Sequence, residues 1–170
     1  MTLGLTWGLR PPERTVPLPC DAVRPHAGVQ ADRAISIAAP PAIVFAWLCQ
    51  LRAAPYSYDL LDNLGRRSPR ARNPELVRLE AGQRFMTMFA LWSFVDGEQI
   101  TLRSKGVAVT YAVRPEGAGS RLHARVWFGG PRLLARVVAL GDLVMMRKQL
   151  RTLKTLAERE ATPPHITLVT

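Results

Sequence analysis

The chain has 170 residues, enough for one domain with a sizeable core and a tail at either end. With 48 % apolar residues, it is neither globally disordered nor an all-apolar membrane protein. A formal charge of +10 invites a polyanionic partner, but only Lys105, Lys148 and Lys154 of the 23 basic residues are lysines. The arginines are scattered, and no helix-turn-helix pattern, zinc-finger spacing or RNA-recognition signature accompanies them, so specific nucleic-acid recognition is not expected.

Residues 1–30 hold Pro11, Pro12, Pro17, Pro19 and Pro25 and show no sustained period; they read as an irregular, Pro-rich lead. The first twenty lack the basic start and unbroken apolar core of an export signal. Ala31 to Ala38 is a predicted strand. Pro40 or Pro41 suits a first helical turn, where a missing N–H costs nothing, and Ile43, Val44, Trp47, Leu48 and Leu51 then form one apolar stripe of a helix ending near Ala54. Ser57 is placed to cap a second helical segment, Tyr58 to Leu64, stopped by Gly65. The Arg66 to Arg72 run reads as a solvated loop, with contact to phosphates or an anionic surface as the lesser reading.

From Gly82 to Phe128 the pattern shortens to strands: Gln83 to Ala90, Trp92 to Val95, Glu98 to Arg103, then Val107, Val109, Tyr111 and Val113 in alternation, then Leu122, Ala124, Val126 and Phe128 against Arg121, His123, Arg125 and Trp127. Asp96-Gly97, Lys105-Gly106 and Pro115 to Gly119 are the turns, so an antiparallel meander follows. In the last third, Leu133, Leu134, Val137, Val138, Gly141, Val144 and Met145 share one helical face, whereas Met146, Leu150, Leu153 and Ala157 share a nearly opposite one. One straight helix would not bury both, so a break is expected at Gly141-Asp142, with Asp142 as a cap. The apolar tract Leu133 to Met146 is interrupted by Arg136 and Asp142 and is too short for a transmembrane segment; the protein reads as cytoplasmic.

The run from Ile35 to Gly65, with Ala39-Pro40-Pro41 opening a helix and Tyr56-Ser57-Tyr58-Asp59 followed by Leu64-Gly65, resembles the START-like superfamily of polyketide cyclases, dehydratases and lipid-transfer domains. So do Ser120-Arg121-Leu122 leading the last strand and the closing segment Val144 to Lys154. The resemblance implies an α+β helix-grip fold over residues 31–160, in which a curved antiparallel sheet wraps a long C-terminal helix around an apolar cavity, with residues 161–170 as a tail. It brings no shared catalytic set, so function has to come from the site.

Two function classes follow. The first is a binder or carrier of a small hydrophobic molecule (lipid, polyketide or terpenoid-like), lined by Tyr56, Tyr58, Asn63, Met86, Met88, Trp92, Phe94, Met145 and Met146. The alternative is a cyclase or dehydratase type of enzyme, whose acid–base groups would be His123 with Arg125, or Tyr58 with Asp59. Strand parity puts His123 and Arg125 on the outer, exposed face of the sheet, which favours the binder. No cofactor and no metal is implied: Cys20 and Cys49 have no ligand spacing and read as free thiols.

Overall fold

Alternation of apolar and polar side chains makes β2 (Val29–Ile37), whose Val29, Ala31, Ile35 and Ile37 join the main core while Gln30, Asp32 and Ser36 point the other way. In this computed structural model, which describes residues 4–25, 28–57 and 67–162, that strand is the hub of an α+β, helix-grip arrangement. The meander is β3 (Arg84–Phe85), β4 (Phe89–Val95), β5 (Gln99–Ser104), β6 (Val107–Glu116) and β7 (Gly119–Phe128), and β2 pairs antiparallel with β7. A two-residue strand, β1 (Thr6–Trp7), adds in parallel to the free edge of β2, so the seven strands run β1-β2-β7-β6-β5-β4-β3.

The β2–β7 junction needs a glycine. A Cβ on Gly119 would lie 2.4 Å from the Ile37 carbonyl oxygen, closer than any side chain tolerates. Ser120 beside it donates to the Ala39 carbonyl at 2.6 Å, tying the last strand to the start of α1 (Pro41–Cys49). Pro40 and Pro41 open that helix as expected, but it stops at Cys49 and gives way to a 3-10 turn at Gln50–Arg52, short of Ala54. Its residues 44–49 are all buried, against the sheet on one side and the final helix on the other.

That final helix, α2 (Arg132–Ala161), is continuous, which corrects the break expected at Gly141-Asp142. The expectation required both apolar stripes to be buried, and they are not. Met146, Leu150, Leu153, Leu156 and Ala157 are buried, whereas Leu133, Leu134, Val137, Val138 and Val144 stay exposed. Gly141 meets nothing within 4 Å and remains in the helix, at a propensity cost of about 1 kcal/mol. The single strand expected over Gln83 to Ala90 is likewise split, because Met86 and Thr87 both take positive φ (44° and 62°) and turn the chain between β3 and β4.

The Pro-rich lead, described over residues 4–25, crosses the outer face of the sheet. Its prolines open two 3-10 turns, Pro11–Thr15 and Pro19–Asp21, too short to register as a period in the sequence. Leu18 and Cys20 pack on Ala108 and Ala112 of β6, and the Cys20 amide donates to Thr110 Oγ1 at 3.0 Å. Gly8, at φ 66°, crosses β2 so closely that a Cβ would sit 2.1 Å from the Ala34 carbonyl oxygen.

Candidate ligand-binding cavity

Between the inner face of the sheet and α2 lies a cavity of about 510 Å³. Inward residues at every second position of two strands supply one wall: Val107, Val109 and Tyr111 of β6, Val126 and Phe128 of β7. Helical spacing supplies the opposite wall, because Val138, Asp142, Met145 and Gln149 lie at successive steps of four, three and four residues. The strained Met86–Thr87 turn, with Met88 and Phe89, closes one side. Met88 is 70 % exposed, so the cavity opens to solvent at that turn.

Ser57 and Thr87 line it beside three further polar side chains, Tyr111, Gln149 and Asp142. The Tyr111 hydroxyl donates to Gln149 Oε1 at 2.7 Å, and Gln149 Nε2 donates to the Pro55 carbonyl at 2.6 Å while facing Met86 Sδ at 3.3 Å. Burial pushes the Tyr111 phenol well above its ordinary pKa. Asp142 is the third. Its Oδ2 is buried without a hydrogen bond, 3.6 Å from Nη2 of Arg33, and the side chain keeps 21 % of its surface open. Burial pushes the carboxyl up to about 6, with Arg33 only partly opposing the shift.

Arg33 sits on β2 at a parity otherwise occupied by core residues and is fully buried behind Asp142. It donates to the carbonyls of Leu5 (2.8 Å), Asp32 (3.1 Å), Gly4 (3.1 Å) and Ala139 (3.1 Å). The small Ala135 and Ala139 of α2 are buried on this side of the helix.

The residues singled out from the sequence divide. Met86, Met88, Met145 and Met146 line the cavity. Trp92 and Phe94 are not among its lining residues: a β-bulge between Leu91 and Ser93 breaks the alternation of β4, and the two residues keep 42 % and 37 % of their surface exposed. Tyr56 is buried edge-on against Trp47, with centroids 6.1 Å apart, and borders a separate polar cleft with Arg70, Lys148 and Arg151. Tyr58, Asp59 and Asn63 lie outside the described residues.

His123 and Arg125 are on the outer face, as strand parity requires, but they are buried, which corrects the expectation of exposure: the lead covers them. Asp32 accepts from His123 Nε2 at 3.0 Å, from Arg125 Nε at 2.8 Å and from Gln30 Nε2 at 2.8 Å. Arg125 spends its other donors on the lead, reaching Val16 O, Asp21 Oδ2, Glu13 O and Arg14 O at 2.7–3.2 Å. The pair therefore pins the lead to the sheet and is separated from the cavity by the sheet itself. Burial alone would raise the Asp32 carboxyl; the hydrogen bonds from His123 and Arg125, with the guanidinium charge, outweigh it and hold the group below its ordinary value.

Asp142, Tyr111, Gln149 and Arg33 carry the polar character of the cavity and were not singled out as site residues from the sequence. A signal existed for Arg33, a charge at an inward strand position, and for Gln149, a polar residue in the stripe of Met145 and Met146. Both thiols are buried and free, and burial pushes them up, Cys20 to about 11 and Cys49 to about 12. Among the described residues no cluster of three or more potential metal ligands occurs, and no helix is long and apolar enough to cross a membrane.

No protein-family model and no curated protein matches the chain. Solved structures do. A protein of Staphylococcus saprophyticus is 14 % identical, with 79 % of this chain and 96 % of that one covered at a TM-score of 0.55. One of Chromobacterium violaceum is 16 % identical over 76 % and 98 % of the two chains, at 0.51. One of Mesorhizobium loti is 15 % identical over 77 % and 98 %, at 0.52. All three are structural-genomics proteins, and at such identities the likeness shows the fold alone: a curved sheet with a C-terminal helix, consistent with a helix grip.

Proposed function

We propose that this protein binds a small hydrophobic molecule, of lipid, polyketide or terpenoid type, between its sheet and α2, in the manner of the START-like superfamily that its sequence resembles. The observation that carries this reading is the cavity: about 510 Å³, walled chiefly by valines, methionines and phenylalanines, with Tyr111, Asp142, Gln149, Ser57 and Thr87 as its polar side chains. An apolar volume of this size with a few convergent polar groups suits a ligand site. Methionines at the Met86–Met88 turn and at Met145–Met146 give it an adaptable lining.

The direct test is native mass spectrometry of the purified protein, followed by organic extraction of whatever copurifies. A neutral fluorescent probe, N-phenyl-1-naphthylamine, should bind saturably with one site per chain. Met86→Glu should weaken it at least tenfold, because an unpaired charge in an apolar pocket is costly. Protein with ordered aromatic circular dichroism but no saturable probe binding would refute the reading.

A second reading, an enzyme of cyclase or dehydratase type, draws on one specific feature. Asp142 titrates near 6 beside the cavity, within the range useful to a general acid or base. His123 and Arg125 offer it nothing, being on the far side of the sheet. Conversion of a copurified ligand that is abolished in Asp142→Asn would favour it; a ligand recovered unchanged after incubation favours the binder.

A further inference from the structure

The hydrogen bonds of Tyr111, Gln149, Thr87 and Arg33 narrow the ligand class, given the reading of the cavity as a binding site. Tyr111 has one hydroxyl hydrogen, and it goes to Gln149 Oε1. Both hydrogens of the Gln149 amide are used, toward Pro55 O and Met86 Sδ. Thr87 donates its hydroxyl to the Met86 carbonyl at 2.7 Å. Arg33 is fully buried behind the wall and bonded to four carbonyls, so it is not offered to a ligand. What these side chains leave over is acceptor capacity: the Asp142 carboxylate and the lone pairs of Tyr111 Oη, Gln149 Oε1 and Thr87 Oγ1.

Charge narrows the class again. A ligand carboxylate would meet Asp142 in a low-dielectric wall. A ligand ammonium would meet the Arg33 charge immediately behind Asp142, 3.6 Å from its Oδ2, where the acid–base pair is already neutral overall. Neither sign of charge is compensated.

We infer that the cavity selects an uncharged, mainly apolar molecule whose polar group is a hydrogen-bond donor, a hydroxyl above all, received by Asp142 with Tyr111 beside it. An ether or ester of the same shape would leave the half-buried carboxylate without a hydrogen bond from the ligand, and a carboxylic acid or amine would add an uncompensated charge.

Protonation reverses the rule. Once Asp142 holds a proton, it donates as well as accepts, so an acceptor-only ligand becomes nearly as good. Among the described residues, the titratable or charged groups that face it are Arg33 from β2 and Tyr111 from β6; the inward residues of β7 (Ala124, Val126) are apolar, and α1 carries no charge. Arg33 and Tyr111 keep their protonation states between pH 5 and 8, so Asp142 is the group that switches.

The test is displacement of N-phenyl-1-naphthylamine at pH 8 by four matched chains: 1-dodecanol, dodecyl methyl ether, dodecanoic acid and dodecylamine. Dodecanol should displace the probe at concentrations about tenfold lower than each of the other three, the order expected for a hydrogen bond to a charged acceptor. In Asp142→Asn, whose amide both donates and accepts, the alcohol-to-ether ratio should fall to about two. In wild-type protein at pH 5 the ratio should fall in the same direction, a result that does not depend on how the variant folds. Equal displacement by alcohol and ether at pH 8, or tighter binding of the acid or amine, overturns the inference while leaving the cavity a binding site. No probe binding at all overturns the binding reading and this one with it.

Discussion

Two carboxylates in this protein stand beside arginines, fully buried Asp32 on the outer face of the sheet and half-buried Asp142 on the inner one, and their carboxyls shift in opposite directions. On the outer face Asp32 accepts three hydrogen bonds, and its carboxyl is held below its ordinary value. On the inner face Asp142 has Arg33 at 3.6 Å, no hydrogen bond to Oδ2, and a carboxyl raised to about 6. An arginine nearby is therefore not enough; what offsets desolvation is the number of hydrogen bonds delivered to the oxygens. A carboxylate whose oxygens are filled works as a rivet. One left partly unfilled beside a cavity retains capacity for something that arrives later.

Removing the rivet should have the largest effect. Arg125→Met strips the lead of four hydrogen bonds and leaves Asp32 buried with a reduced set of partners, so a loss of about 3 to 5 kcal/mol is expected in urea denaturation. Proteolysis at the lead should become faster in the folded protein. A loss below about 1 kcal/mol would mean that the outer pair is not what holds residues 4–25 on the sheet.

Apolar packing tests the same contrast between filled and unfilled partners along α2. Leu150→Ala and Leu153→Ala empty buried positions and should each cost roughly 2 to 5 kcal/mol.

Asp142→Asn should act in the opposite direction. Its folded value of about 6 lies above the unfolded 3.8, so the folded state holds the proton more tightly and loses stability as pH rises from about 4 to 6. Above 6 the penalty is complete, roughly 2 to 3 kcal/mol after allowance for the part of the side chain open to the cavity. The variant should thus be more stable than wild type at pH 8, with the difference vanishing toward pH 4. Asp32 has the reverse dependence: its stabilisation is present above 3.8 and is lost as pH falls through its lowered folded value. Urea midpoints of both proteins from pH 3 to 8 separate the two; a difference independent of pH would show that Asp142 is not the titrating group.

The smallest effect belongs to the exposed stripe. Leu133, 78 % exposed, makes little use of the core, and Leu133→Ser should change stability by less than about 0.5 kcal/mol. A loss comparable to Leu150→Ala would show that the first half of α2 is covered in solution.

The sequence by itself determined the α+β class, the meander, the Pro-opened α1 and the helical character of α2, because each is recorded in a local period, a turn residue or a helix-opening proline. Strand parity also placed His123 and Arg125 on the outer face. Tertiary structure alone decided that this face is covered, since the lead folds through turns of three to five residues that leave no period and bury single side chains such as Leu18 and Cys20. It decided the continuity of α2 as well: two apolar stripes imply a break only if both must be buried, and burial depends on what lies opposite. The partnership of Asp142 with Arg33, 109 positions apart in the chain, was the least legible. A carboxylate that caps a helix and one that lines a cavity are the same residue in the sequence; the difference lies in how many donors the fold brings to its oxygens.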